Sequence, residues 1–181
     1  MKNIFVVCAF LFAFAAPALA ADGKGLAMTK PAEVGDYIQA DAPYGQGTLR
    51  KLFMKVYETS LWTDAKTWSM KEPFALCIRY NMNFKDKDLV KRTFEEMGRS
   101  GLVTQADRET FGPQLTALFH DVHPGDVITA VFLPGRGAVF YYNGKPRGKL
   151  EDIAFAKRFF NIWLGPDTSE PDLRDRLLAL K

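Results

Sequence analysis

The order in which two hydrophobic periodicities alternate along this chain restricts its fold more than any single motif does. Residues 49–62 are rich in Val, Thr, Tyr, Phe and Trp, a composition that suits strands, and residues 74–80 form a compact β-type run between Pro73 and Asn81. Helical spacing follows. Leu89, Val90, Phe94 and Met97 form one stripe with Lys91, Arg92, Glu95 and Glu96 opposite, and a helix on that stripe ends at Gly98 or Gly101. A second helical piece spans residues 105–119, interrupted near Gly112-Pro113. Strands return at residues 126–133 and 138–142, joined by the Pro134-Gly135-Arg136-Gly137 loop, and Asn143-Gly144 favours the positive φ angles of a type I′ turn. The last third is helical. Ala156, Phe159, Phe160, Trp163 and Leu164 share one face, Gly165 stops that helix, and Ser169 caps a final one carrying Leu173, Leu177 and Leu178. An additional strand is expected over residues 33–40. Strands first, with helices between and after, predict an α+β fold: an antiparallel sheet covered by helices on one face.

The first twenty residues stand outside that domain. Lys2, an apolar run over residues 4–16 and the small-x-small ending Ala18-Leu19-Ala20 read as a cleaved signal peptide, which predicts a secreted, periplasmic protein. The run is shorter than the roughly 20 residues that span a bilayer, so no transmembrane span is expected. Residues 21–32 form a flexible lead-in, and residues 33–181 are one domain by size. Loss of Lys2 lowers a formal net charge of only +3 by one, a balance that excludes nucleic acid as a partner. Cys8 leaves with the leader. Cys77, between Leu76 and Ile78, has no disulfide partner and reads as a buried apolar residue.

Five short segments recur in a telling order. Gly45-Gln46-Gly47-Thr48-Leu49-Arg50 runs into Phe53-Met54-Lys55-Val56-Tyr57. Val122-His123-Pro124-Gly125-Asp126, the two glycine turns above, and Phe159-Phe160-Asn161-Ile162-Trp163-Leu164-Gly165 follow. In this order and spacing, over residues 33–180, the chain resembles the bacterial branch of the chalcone isomerase-like family. That resemblance implies an open-faced β-sandwich with a pocket between helices and sheet. It also implies a choice between isomerases, which close a ring by intramolecular conjugate addition, and non-catalytic binders of fatty acids.

Carried over by the resemblance, Arg50 matches the guanidinium that polarises an isomerase's substrate, and Tyr57 stands where a strand threonine is usual. The helix tyrosine and asparagine fall near Phe84 and Lys91, and the late Ser or Thr falls on Ala156; none of the three supplies the matching group. Loss of one oriented donor typically costs about 3–4 kcal/mol of barrier, so a specific isomerase is not expected and no catalytic residue is assigned. The fatty-acid-binding branch fits better, because there a tyrosine beside the arginine shares the ligand's carboxylate. A guanidinium binds a carboxylate through two parallel charge-assisted hydrogen bonds, and a phenol adds a third. Four of the fifteen Phe lie in the leader; the rest, with three Trp and six Tyr, are enough to line a lipophilic slot. The expected ligand-binding residues are therefore Arg50, Tyr57, Phe159, Phe160 and Trp163. Arg50 and Tyr57 are seven apart, so they share a ligand only if the chain bends near Lys51-Leu52.

Each of these has a plainer reading. Arg50 braces a turn or pairs with an acid. Phe159, Phe160 and Trp163 form a helix's core stripe. Gly45 and Gly47 lack the Lys-Ser/Thr of a phosphate loop. His120 and His123 supply two ligands where a metal needs three or four, so no metal and no cofactor is expected, and Asp126 caps its turn. Three functions follow in order: binding of a small lipophilic acid, fatty acid-like, in the periplasm; an isomerase or intramolecular lyase acting through Arg50; and a protein-interaction module with an apolar groove.

Overall fold

The computed structural model describes residues 28–99, 101 and 103–180. The signal peptide expected over residues 1–20, and residues 21–27 of the lead-in, lie outside the described residues. Six strands form one antiparallel sheet in chain order: β1 (Gly45–Lys51), β2 (Met54–Trp62), β3 (Phe74–Tyr80), β4 (Val127–Leu133), β5 (Gly137–Tyr142) and β6 (Lys145–Leu150). Helices α1 (Asp86–Gly98) and α2 (Gln105–Leu118) lie between β3 and β4, and α3 (Ile153–Leu164) and α4 (Pro171–Leu177) follow the sheet. The fold is α+β, an antiparallel sheet with its four α-helices on one face, as the alternation of periodicities predicts.

Strand alternation sorts side chains between two layers. Phe74, Leu76, Ile78 and Tyr80 of β3, with Ile128, Ala130 and Phe132 of β4, face the helices in the main core. Ala75 and Cys77 of β3, with Val131 and Tyr141, face the other way into a second core. Helix α3 is the keystone of the first layer. Asp152 caps it by accepting from the Phe155 N–H (2.7 Å), and its buried edge is Phe155, Ala156, Phe159, Phe160 and Leu164. Burial of each large apolar side chain contributes about 1.5–3 kcal/mol.

Several local expectations are corrected. Residues 33–40 form no strand: a 3-10 turn spans Ala32–Asp36, and Val34 and Ile38, four residues apart, both reach the second core beside Trp62 and Cys77. Gly35 and Asp36 disfavour a strand, and a four-residue spacing matches a helical turn rather than a pleat. Met28 is buried in the same core, so part of the lead-in is packed. Helix α2 runs unbroken through Gly112-Pro113. The final helix has Glu170 at its N-cap position, without a side-chain capping bond, and Pro171 in the first turn, one residue beyond the Ser169 expected. Gly165 ends α3 in extended rather than left-handed backbone, and glycine is needed because a Cβ would lie 2.7 Å from the Asn161 carbonyl. Strand β6 has no counterpart in the sequence reading. Its Lys145-Pro146-Arg147-Gly148-Lys149 run is polar because it is a sheet edge, where charge and proline prevent further pairing. The Asn143-Gly144 turn has the positive φ angles its sequence requires (49° and 75°).

Strand β1 explains the glycine pair. Helix α4 crosses it so closely that a Cβ on Gly45 would press into the Leu177 backbone carbonyl, and one on Gly47 would meet Leu173 Cδ1 at 2.5 Å. Gly45→Ala is accordingly expected to lower stability by about 1–3 kcal/mol, since the clash is with backbone that cannot rotate away. Gly35→Ala, where nothing lies within 4 Å of the new methyl, should stay within about 0.5 kcal/mol. Urea unfolding midpoints of the two variants test the contrast; equal midpoints would show that α4 tolerates displacement.

Candidate ligand site

The sequence-predicted residues divide into a group the fold assembles and one it leaves apart. Tyr57 and Thr59 of β2 face the helix layer, and Tyr57 lies opposite Tyr80 on β3 with the rings edge-on at 6.2 Å. Trp163 arrives from α3, and its indole Nε1–H donates to the Tyr57 hydroxyl at 2.9 Å. Behind it, Phe159 meets Trp163 edge-on at 5.4 Å and Phe140 at 5.3 Å. Phe160 is deeper still, edge-on to Phe74 at 4.8 Å and to Phe132 at 5.7 Å. Phe159 and Phe160 are thus buried core residues, while Trp163 and Tyr57 sit half-buried at the margin of the same aromatic wall.

Polar chemistry in this wall is sparse. Burial pushes the Tyr57 phenol well above its ordinary range, the Trp163 hydrogen bond opposing that shift and the Glu170 carboxylate adding to it. Two residues inward on the same strand face, the buried Thr59 hydroxyl has no hydrogen-bond partner among the described residues. Tyr57 and Trp163 therefore present two donors, one used and one available, with an unpartnered hydroxyl beside them. No sequence signal marks the indole–phenol bond, which joins residues 106 apart in the chain.

Arg50 stands elsewhere. The bend expected near Lys51-Leu52 is a complete two-residue hairpin turn, Leu52-Phe53, so Arg50 and Tyr57 lie on adjacent strands. Across them, Leu49 is the residue opposite Tyr57. A bulge follows it, and Arg50 lies opposite Lys55 with its side chain exposed. A cleft of about 60 Å³ between α1 and α3 is bordered by Glu96, Met97, Arg158 and Asn161. A wider one of about 330 Å³ on the opposite face of the sheet is bordered by Lys30, Glu33, Arg79 and Asn143. Neither includes Arg50, Tyr57, Phe159, Phe160 or Trp163. The positions matched to isomerase roles are also visible. Ala156 is sealed in the core, Lys91 is an exposed α1 residue 3.9 Å from Glu95, and Phe84 packs its ring on Tyr80.

The remaining motifs are structural. Asp126 accepts from the His123 backbone N–H (2.8 Å), the Tyr142 hydroxyl (2.7 Å) and the Asn143 amide (2.9 Å), pinning the Val122–Asp126 loop to the β5–β6 turn. His120 packs edge-on against Tyr142 at 5.1 Å. Among the described residues no cluster of three or more His, Cys, Asp or Glu has the arrangement of a metal site. Cys77 is buried, and burial pushes its thiol up to about 12, leaving it unreactive.

A sequence profile described as chalcone isomerase-like matches residues 29–179. The chain belongs to the chalcone isomerase-like family. Within solved structures it is similar to a fatty-acid binding protein of Arabidopsis thaliana, with a TM-score of 0.61 at 12% identity, covering 84% of this chain and 96% of that one. That likeness shows the fold. A Haemophilus influenzae protein is 27% identical over 125 residues, 68% of this chain and 61% of its own length, so the match spans less than two thirds of that relative. In this chain helices and sheet face each other across the aromatic wall, which is closed by the Tyr57–Trp163 bond.

Burial of tyrosines on both faces of the sheet has a measurable consequence. Burial raises four of the six tyrosines, Tyr57, Tyr80, Tyr141 and Tyr142, the last to about 12. An unfolded phenol loses its proton near pH 10, so the stability these groups contribute is complete below about pH 10 and is lost as pH rises through the raised values. Ultraviolet phenolate absorbance should accordingly leave these four silent until the protein unfolds in alkali. Reversible titration of these four near pH 10 with the fold intact would contradict the burial described.

Proposed function

We propose that the protein binds a lipophilic acid, fatty acid-like, without catalytic turnover, between α3 and the β2 end of the sheet. The observation that carries this reading is the paired donor Tyr57–Trp163 at the margin of an aromatic wall. An entering carboxylate exchanges one neutral hydrogen bond, worth about 0.5–1.5 kcal/mol net, for charge-assisted bonds from the phenol and the indole, each worth about 1.5–3 kcal/mol. The apolar tail adds about 0.8 kcal/mol gross for each CH₂ buried. The name of the Arabidopsis structural neighbour, a fatty-acid binding protein, supports the same ligand class.

Arg50 belongs to this reading as an exposed cation at the rim, one residue along β1 from the position facing Tyr57, where it attracts the acid before the donors hold it. Isomerisation is disfavoured on chemical grounds. Ala156, sealed in the core, has no hydroxyl, and Lys91 points its charge to solvent. A ring closure that develops charge on a ketone would therefore lack its oriented donors. Export through the leader segment, and hence a periplasmic site of action, completes the proposal.

Because the Tyr57–Trp163 hydrogen bond closes the wall, binding includes an opening step in which Trp163 leaves Tyr57, and association should be slower than diffusion. Displacement of a fluorescent fatty acid from delipidated protein by palmitate tests the reading. Tyr57→Phe should weaken binding about tenfold, the loss of one charge-assisted bond. Arg50→Ala should weaken it a few-fold with the melting temperature unchanged. Absence of saturable binding, or an affinity indifferent to Tyr57→Phe, would defeat the proposal, and chalcone cyclisation abolished by Arg50→Ala would replace it with the enzyme.

A further inference from the structure

The β1–β2 hairpin outruns the sheet that carries it. Strand β2 pairs with β3 only from Tyr57 onward, and β1 is the edge strand, so residues 50–55 form a two-stranded ribbon without a strand neighbour on either side. Its turn closes between the paired residues Lys51 and Met54. Leu52 takes a φ of 53°, a conformation that glycine or asparagine adopts with less strain. The side chains at this tip are large and apolar: Leu52 is 90% exposed, Phe53 98% and Met54 52%. Contiguous apolar exposure of this kind marks an interaction site.

The flanks are basic. Arg50, Lys51 and Lys55 bracket the tip, and no Asp or Glu occurs between Gln46 and Tyr57. The acids that reach the ribbon come from the body: Glu170, just before α4, pairs with Lys51, and Glu58, opposite Arg79 on β3, pairs with Lys55 at 2.6 Å. Both pairs are partly exposed, of the kind that contributes little to stability and exchanges readily for another anion.

We propose that this ribbon docks the protein on an anionic phospholipid surface, with Leu52, Phe53 and Met54 entering the headgroup boundary and Arg50, Lys51 and Lys55 lying at the phosphates. The dimensions agree. Lys51 and Lys55 stand two residues behind Phe53, about 7 Å along a strand, which matches the roughly 5–10 Å depth to which interfacial apolar groups enter a bilayer. A bilayer supplies an apolar layer and a negative layer at that separation. A second copy of this hairpin would bring like charges together instead. The proposal goes beyond ligand binding and does not depend on it.

Flotation of the processed protein with phosphatidylglycerol–phosphatidylcholine vesicles tests it, with pure phosphatidylcholine vesicles as the comparison. Partition into the anionic vesicles should fall as salt is raised. Leu52→Ser with Phe53→Ser should reduce it by at least about tenfold at an unchanged melting temperature, since both residues are exposed. Lys51→Gln with Lys55→Gln should weaken partition and flatten its salt dependence. Phe53→Trp should show a blue-shifted emission when vesicles are added. No partition into anionic vesicles, or full partition by the serine pair, would overturn the proposal. So would a concentration-dependent dimer that buries Trp at position 53 without lipid, which would make the tip a self-association contact. Displacement of the fluorescent fatty acid, measured on the unaltered protein and on the serine pair, is a separate readout: absence of saturable displacement in both refutes the ligand reading and leaves the vesicle result standing.

Discussion

Phe160 packs edge-on against two sheet rings, Phe74 and Phe132, which are themselves stacked at 5.1 Å across the β3–β4 pairing. That contact sets the rotation of α3 about its own axis. With Phe160 locked down, Phe159 turns toward Phe140 and Phe119, Ala156 is sealed, and Trp163, one turn beyond Phe159, reaches Tyr57. Aromatic pairs contribute about 0.5–1.5 kcal/mol beyond their burial, and their geometry resists slippage because rings cannot be repacked singly in a dense core. The polar contact at the candidate site is therefore a consequence of apolar packing within one turn of it on the same helix.

The same packing accounts for what the wall holds. It holds an indole N–H, a phenol and a threonine hydroxyl without a hydrogen-bond partner among the described residues, all set among rings. Glycines 45 and 47 serve this arrangement indirectly: by letting α4 lie on β1 they cover the wall's outer side, and α4 brings Glu170 to the base of the hairpin.

The sheet's two faces are finished differently. The helix face is closed by long amphipathic elements, whereas the opposite face is closed by a short 3-10 turn and the segment around it. There Lys30 donates to the carbonyls of Ile38, Gln39 and Ala40, Glu33 accepts from Thr129, and Asp64 accepts from the N–H groups of Gln39 and Ala40. Polar ties replace apolar area where the chain is too short to form a layer. At the sheet's edges, β6 is protected by charge and proline, while β1 ends in the apolar tip.

Much of the fold was readable in the chain because periodicity is local. Helix α3, strands β2 to β5, the Asn143-Gly144 turn and the burial of Cys77 follow from side-chain spacing or turn chemistry within a few residues. Where local preference and tertiary context disagree, context prevailed: Pro113 stays inside α2, β6 forms from a polar run because an edge needs no apolar face, and residues 33–40 turn rather than extend. Which of the candidate residues come together was beyond reach of the sequence: Tyr57 and Trp163 meet, Phe159 and Phe160 are buried core, and Arg50 stands apart. The amino-acid sequence by itself determined the α+β class, the aromatic stripe of α3 and the family. Only the tertiary structure decided that Leu49 rather than Arg50 faces Tyr57, that Trp163 donates to it, and that Phe53 stands in solvent. Strand register and helix rotation are settled by packing between residues far apart in the chain, and no local spacing encodes them.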